Sequence, residues 1–259
     1  VALRPPLSSQ QRHSVVFQPN DRYCLLGKTG SGKTQFTATL ATKIVEKINE
    51  LAVVPWTVYW ADTKGDPNDI RRLRRWGYER VKYLVNFDPD GPELYRYFKI
   101  ERPEGAENCS LAVAQVAEAA YERSRNGKPT LLVVDEWAQA VFSSRRMGPR
   151  LLDVFQRGRG LRCGIMGQTQ EPVDVPRQLF SQATHQFVFN LTDARDLKWV
   201  REMYPQYQPP RLYGMEHGFW YRHLDGEAGW MLFRHEREFV EWLIDDLDAT
   251  VGEMEGAHA

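Results

Sequence analysis

The chain has 259 residues, 42% hydrophobic and 26% charged, enough to bury the core of one large α/β domain or at most two small ones. Its 34 basic residues balance 34 acidic ones, so no global basic field marks it for nucleic acid, and any such binding has to come from local patches. Three isolated cysteines, Cys24, Cys109 and Cys163, argue against a disulfide framework or a CxxC zinc site, and no apolar run approaches the roughly 18 residues of a membrane span.

Residues 1–20 are polar and proline-containing and read as an N-terminal arm. A single domain is expected over 21–247, followed by an acidic tail over 248–259. Tyr23 to Leu26 is a short apolar strand that runs into Gly27-Lys28-Thr29-Gly30-Ser31-Gly32-Lys33-Thr34, an ungapped match to G-x-x-x-x-G-K-[ST]. The spacing of Phe36, Leu40, Ile44 and Ile48 predicts a helix from Thr34 to Leu51 with one apolar face. Strand, glycine loop and helix in that order define a phosphate-binding loop. Its glycines allow backbone N–H groups to turn toward a polyphosphate, and the helix N-terminus adds its positive end. Lys33 would reach the β- and γ-phosphates, and the Thr34 hydroxyl would ligate Mg²⁺.

Trp56 to Ala61 is aromatic and β-branched, hence a buried strand. It ends in Asp62-Thr63-Lys64-Gly65-Asp66, polar residues placed to meet a ligand at the carboxyl end of an α/β strand. Asp69 to Trp76 predicts a short helix carrying Arg71, Arg72, Arg74 and Arg75, which either track phosphates or form a solvated face. Val81 to Val85 reads as a strand, residues 88–92 as a turn, and Ser110 to Arg125 as a helix with Ser110 as its N-cap. The apolar run Leu131 to Val134 predicts a central parallel strand. Asp135 at its end is placed to hold Mg²⁺ through water, and Glu136 to deprotonate an attacking water. The strand Trp56 to Ala61 intervenes between the phosphate-loop strand and the Asp135 strand. That insertion marks the additional-strand, catalytic-glutamate division of P-loop ATPases and argues against kinases and small GTPases.

Ser143 to Arg150 reads as a loop with Arg145, Arg146 and Arg150 as candidate DNA contacts. Leu151 to Gln156 reads as a helical turn, and Leu161 to Gln168 as a strand ending near Gln170, which could sense a γ-phosphate. Gln186 to Phe189 is a further strand and Ala194 to Met203 a helix. Phe219 to His223 and Trp230 to Phe233 flank the hairpin signal Asp225-Gly226, and Glu236 to Leu247 is amphipathic.

With these residues in place, the chain resembles the FtsK/HerA superfamily of DNA-translocating ATPases. Gly27 to Thr34 is similar to that family's G-x-T-G-S-G-K-[ST], and Asp62 to Asp66 to its D-P-K-G-[DE]. Arg157 to Pro172 resembles x-G-R-x-x-G-[VI]-x-(apolar)-x-x-x-[ST]-Q-x-P, except that the family's glycine is Arg162 and Gly164 interrupts the apolar strand. Thr192 to Leu197 is similar to the family's N-x-[ED]-D-L helix start. The resemblance, over Asp21 to Met203, implies a RecA-like additional-strand core with a mostly parallel sheet between helices. It implies ATP and Mg²⁺ as cofactors and a pentameric or hexameric ring acting on double-stranded DNA. It also implies Gln170 as sensor, with Gln168 its rival, and Arg159 as arginine finger, with Arg157 next in line. No stretch resembles the β-barrel of cellular HerA helicases, or the membrane segment and winged helix of cellular FtsK translocases. A bare motor of this size looks most like the genome-packaging ATPases of tailless, internal-membrane viruses. That implies capsid-vertex or inner-membrane proteins as partners, and the host cytoplasm or the virion vertex as location, with no membrane span of its own. Alternatives are a conjugation or filamentous-phage export ATPase, and a nucleotide-dependent scaffold that does not translocate.

Overall fold

The computed structural model describes residues 17–81, 87, 88, 91, 94–100, 109–142, 146–224, 231–233, 238 and 240–242. Its strands are β1 (Arg22–Leu26), β2 (Thr57–Asp62), β3 (Glu79–Val81), β4 (Tyr95–Lys99), β5 (Thr130–Val134), β6 (Cys163–Thr169), β7 (His185–Phe189), β8 (Phe219–His223) and β9 (Met231–Phe233). Among the described residues they form one nine-stranded sheet in the order β3-β4-β2-β5-β6-β1-β7-β8-β9. Neighbours from β3 to β7 run parallel, while β8 and β9 join antiparallel at one edge.

The central strands are buried at nearly every position and mostly apolar, because both of their faces are covered. In β5, Leu131 and Val133 enter one core and Leu132 and Val134 the other; Leu25 and Leu26 of β1 divide in the same way. One face is closed by α1 (Lys33–Asn49) and α2 (Pro67–Arg75). The other is closed by α3 (Ser110–Arg125), α4 (Trp137–Ala140), α5 (Pro149–Arg157), α6 (Gln178–Ser181) and α7 (Ala194–Met203). On α1 the predicted stripe of Phe36, Leu40 and Ile44 is fully buried and Ile48 packs at its margin; burying each such side chain stabilises by about 1.5–3 kcal/mol.

The sheet order corrects the expectation about the intervening strand. β2 lies beyond β5, on the side away from β1. The strand between β1 and β5 is β6, which comes after both in sequence. The additional strand is therefore present, but a different segment supplies it. β4 carried no sequence signal, because Arg96 breaks its apolar run; its guanidinium sits 5.3 Å from the centre of the Phe87 ring and is largely buried. Helix α3 begins as expected, but the N-cap is Cys109 and Ser110 is the first helical residue. Of the predicted strand Val81 to Val85, only Val81 is described, at the end of β3. Asp225-Gly226, most of Glu236 to Leu247, the tail and residues 1–16 of the arm lie outside the described residues.

The departures from the family pattern at Gly164 and Arg162 have steric reasons. A Cβ on Gly164 would lie 1.7 Å from the Pro19 carbonyl oxygen, so the chain entering β1 crosses the position where the apolar pattern breaks. Arg162 has φ 58°, a left-handed conformation that favours glycine, at the position where the family pattern has one. Its guanidinium is 5.6 Å from the Trp56 ring centre, a compensation that glycine cannot make.

Candidate nucleotide site

The phosphate loop follows from the neighbours of β1. Gly27 N–H donates to the Thr169 carbonyl at 3.2 Å and Lys28 N–H to that of Asn190 at 2.9 Å, so the loop is tied to the ends of β6 and β7. Gly30 and Gly32 have φ of 75° and 90°, a conformation costly for residues with a Cβ. Gly32 is also the N-cap of α1, so the helix's free N–H groups open into the loop. Ser31 Oγ is buried with no hydrogen-bond partner among the described residues, an orphaned donor in a cradle built for oxyanions.

Lys33 folds back over the loop, where its ammonium donates to the carbonyls of Gly27 and, at 2.9 Å, of Lys28. Burial, with Lys64 nearby, pulls its pKa down to about 7. The buried Gln168 amide nitrogen donates to Thr34 Oγ1 at 3.2 Å and to Asp135 Oδ1, while its oxygen accepts from Thr37 Oγ1 at 3.2 Å. One amide thus brings together the two oxygens expected to hold Mg²⁺. That hard oxygen pair, ending the loop and the β5 strand, fits such an ion. Burial pushes the Asp135 carboxyl up to about 7, with Asp62 and Glu136 adding to the rise and Lys64 opposing it.

Glu136 sits one residue further along, nearly buried. Both of its carboxylate oxygens lie 3.3 Å from the Gln170 N–H. The Gln170 side chain reaches the other way and accepts from Thr29 Oγ1. Gln168 and Gln170, the two candidate sensors, make different contacts. The first joins Thr34 to Asp135; the second joins Glu136, through its backbone, to the loop, through its side chain.

The structure adds Lys64, which the sequence placed only in a motif. Asp62 Oδ1 accepts from the N–H groups of Lys64 (3.0 Å) and Gly65 (2.8 Å), and its other oxygen accepts from Tyr97 Oη. That turn swings the Lys64 ammonium to 3.2 Å from the Asp135 carbonyl, 3.4 Å from Asp135 Oδ1 and 3.8 Å from Glu136 Oε2. An acidic residue two before a lysine, at the end of a buried strand, is the signal that could have flagged it.

Other candidates stand elsewhere. Arg159 precedes β6, whereas the site lies at that strand's carboxyl end. Seven strand residues place it roughly 20 Å away. It is exposed, and its Nη2 lies 3.5 Å from Asp21 Oδ1. Arg157 is exposed on α5, within 3.6 Å of Asp153. Arg150 is a helical residue of α5, not a loop residue, and is ion-paired with Glu118 and, at 3.5 Å, with Asp153. Arg146 is exposed, and Arg145 lies outside the described residues.

A cavity of about 550 Å³ opens over the loop, lined by residues 29–35, Lys64, Gln170, Asp66 and one side of α2 from Asn68 to Arg75. No family model and no curated protein matches the chain. Solved structures match it in fold. The genome packaging NTPase B204 from Sulfolobus turreted icosahedral virus 2, in complex with AMPPCP, superposes with a TM-score of 0.62 at 13% identity, covering 85% of this chain and 100% of that one. B204 from Sulfolobus turreted icosahedral virus, described as the DNA-packaging ATPase, gives 0.61 at 14% identity over 84% and 97%. The chain thus has the P-loop ATPase fold that its resemblance to the FtsK/HerA superfamily implied. Among the described residues, no helix is long and apolar enough to cross a membrane.

Proposed function

We propose that this chain is an ATPase whose turnover moves double-stranded DNA, packaging a viral genome into a preformed capsid from a homo-oligomeric ring. The observation that carries the reading is the convergence of Lys33, Thr34, Lys64, Asp135, Glu136, Gln168 and Gln170 at one edge of the sheet. That edge belongs to a fold shared with a packaging NTPase.

The loop N–H groups, Ser31 and Lys33 bind the polyphosphate of ATP, and Lys33 exchanges its two carbonyls for phosphate oxygens. Thr34 and Asp135 would hold Mg²⁺, which would supply neutralisation of the phosphate charge. Glu136, oriented by the Gln170 N–H and the Lys64 ammonium, accepts the proton of the attacking water. Gln170, bonded to the loop and next to Glu136, reports whether a γ-phosphate is present. Arg159 is too far from its own site to act there, so it serves as the finger for a neighbouring subunit's nucleotide, in a ring of five or six. Arg145 and Arg146 are the proposed DNA contacts; Arg150, already paired, contributes little. The partners are vertex or inner-membrane proteins of the virion, met in the host cytoplasm or at the virion vertex.

Glu136→Gln tests the chemistry. It should retain ATP and lose hydrolysis by about a hundredfold or more; wild-type turnover would remove Glu136 from the mechanism. DNA tests the coupling. Linear duplex should stimulate wild-type hydrolysis, and if it never does, the translocase reading fails and a slow-turnover scaffold takes its place.

A further inference from the structure

The arginine-rich helix is not where a DNA-tracking surface would be expected. α2 springs from the carboxyl end of β2, capped by Asp66, whose side chain accepts from the Asn68 N–H at 2.7 Å. Its apolar anchors Ile70 and Leu73 pack into the core on the α1 side of the sheet. Asn68, Arg71, Arg72 and Arg75 follow the spacing i, i+3, i+4, i+7. They form one helical stripe on the face turned away from those anchors. All four line the cavity above the phosphate loop, and Arg74 does not.

That cavity is lopsided in charge. Five cations line it (Lys33, Lys64, Arg71, Arg72 and Arg75) against two carboxylates, Asp66 and Asp69. The arginines are lightly held. Arg71 donates to the Asn68 side chain, and Arg72 lies 3.4 Å from Asp69 Oδ1 as a half-exposed pair of the kind that contributes little. Arg75 has no hydrogen-bond or ion-pair partner among the described residues. Phosphate oxygens could take these guanidinium groups at small cost, and their planar forks suit phosphate.

We propose that Arg71, Arg72 and Arg75 form a second phosphate-binding wall of the nucleotide cavity. In this assignment they act in cis, on the outer oxygens of a nucleoside triphosphate bound to the same chain's loop. The inference rests on the nucleotide-binding reading and deepens it. The stripe adds positive charge to that of Lys33 in the same cavity, and it favours the triphosphate over products carrying fewer charges. It also explains why the helix is arginine-rich although the chain as a whole is neutral.

The experiment measures binding of AMPPCP, ADP and a 30-base-pair duplex to the full chain by calorimetry. It compares wild type with the triple Ala variant at 71, 72 and 75, with Arg75→Ala, and with Arg74→Ala. All substitutions are on the exposed helix surface, and circular dichroism checks the fold. The triple variant should weaken AMPPCP by about tenfold or more, and ADP by less. Arg75→Ala should move the same way by a smaller factor, and Arg74→Ala should match wild type. Duplex affinity and its salt slope should be unchanged in all of them. Three results overturn the assignment: AMPPCP affinity unchanged in the triple variant, an equal loss in Arg74→Ala, or a loss confined to the duplex with a flattened salt slope. A wild-type chain that binds no AMPPCP overturns the nucleotide-binding reading itself. Tight wild-type binding with an indifferent triple variant overturns only the arginine wall.

Discussion

At the residue scale, Arg162 and His185 show how single positions carry local costs. Arg162 holds φ 58° and is offset by its ring contact with Trp56. Arg162→Ala keeps the strained backbone and loses that contact, whereas Arg162→Gly loses the contact but relaxes the backbone. Urea denaturation should therefore place the Gly variant above the Ala variant by about 1 kcal/mol. His185 is fully buried, stacked on Phe17 and Tyr23, with its ring nitrogens 2.9 Å from Tyr221 Oη and 3.1 Å from Asp21 Oδ2. Burial pulls its pKa down to about 4; Asp21 opposes that shift, and His223 and Arg159 add to it. The unfolded chain takes up this proton near pH 6.5, so between there and pH 4 it binds more protons than the fold. This contribution is whole above that window and lost as pH falls through it. Between pH 7 and 5 it should cost about 2 kcal/mol. His185→Gln should lose less over the same interval; an equal loss would assign the acid sensitivity to other groups.

At the scale of elements, the site depends on how closely α4 lies against β6. Trp137 follows Glu136 directly and is buried, and its indole crosses β6 where there is no side chain. A Cβ on Gly167 would stand 1.7 Å from Trp137 Nε1. Gly167→Ala should therefore push the indole aside, destabilising the chain by about 1–3 kcal/mol. It should also slow hydrolysis, because Glu136 moves with Trp137. A variant with wild-type turnover would show that the Glu136 carboxylate is positioned independently of that packing. The same elements show what a sequence can display. The loop, β5 with its two acids, and the Ala194–Met203 helix were legible because each is a local pattern. β4 was not, since Arg96 interrupts its apolar run and only tertiary packing on Phe87 accommodates it.

At the scale of the whole molecule, Arg159 sits at the opposite end of β6 from the site, so a role in hydrolysis requires a second copy of the chain. Arg159→Ala should bind nucleotide and be inactive, with a loss of about 10³ if it acts as a finger. Mixed with Lys33→Ala chains, which keep their arginine but cannot hold phosphate, it should regain part of the activity. Mixed assemblies shown to form and yet inactive would turn attention to Arg157.

The sequence by itself determined the phosphate loop, the acidic pair after a buried strand, and the α/β class. Each of these is written in consecutive residues whose spacing follows from the geometry of one strand or one helix. Only the tertiary structure decided which strand separates β1 from β5, because sheet order depends on crossover connections and not on local periodicity. It also decided that Gln168 and Gln170 meet different partners. Strand alternation would put residues two apart on one face, but Gln170 lies past the end of β6, where its side chain turns to Thr29 while Gln168 reaches Thr34 and Asp135. Lys64 and the stripe of α2 acquired their place in the same way. A turn held by Asp62 aims one across to Asp135, and the packing of Ile70 and Leu73 leaves the other facing the cavity.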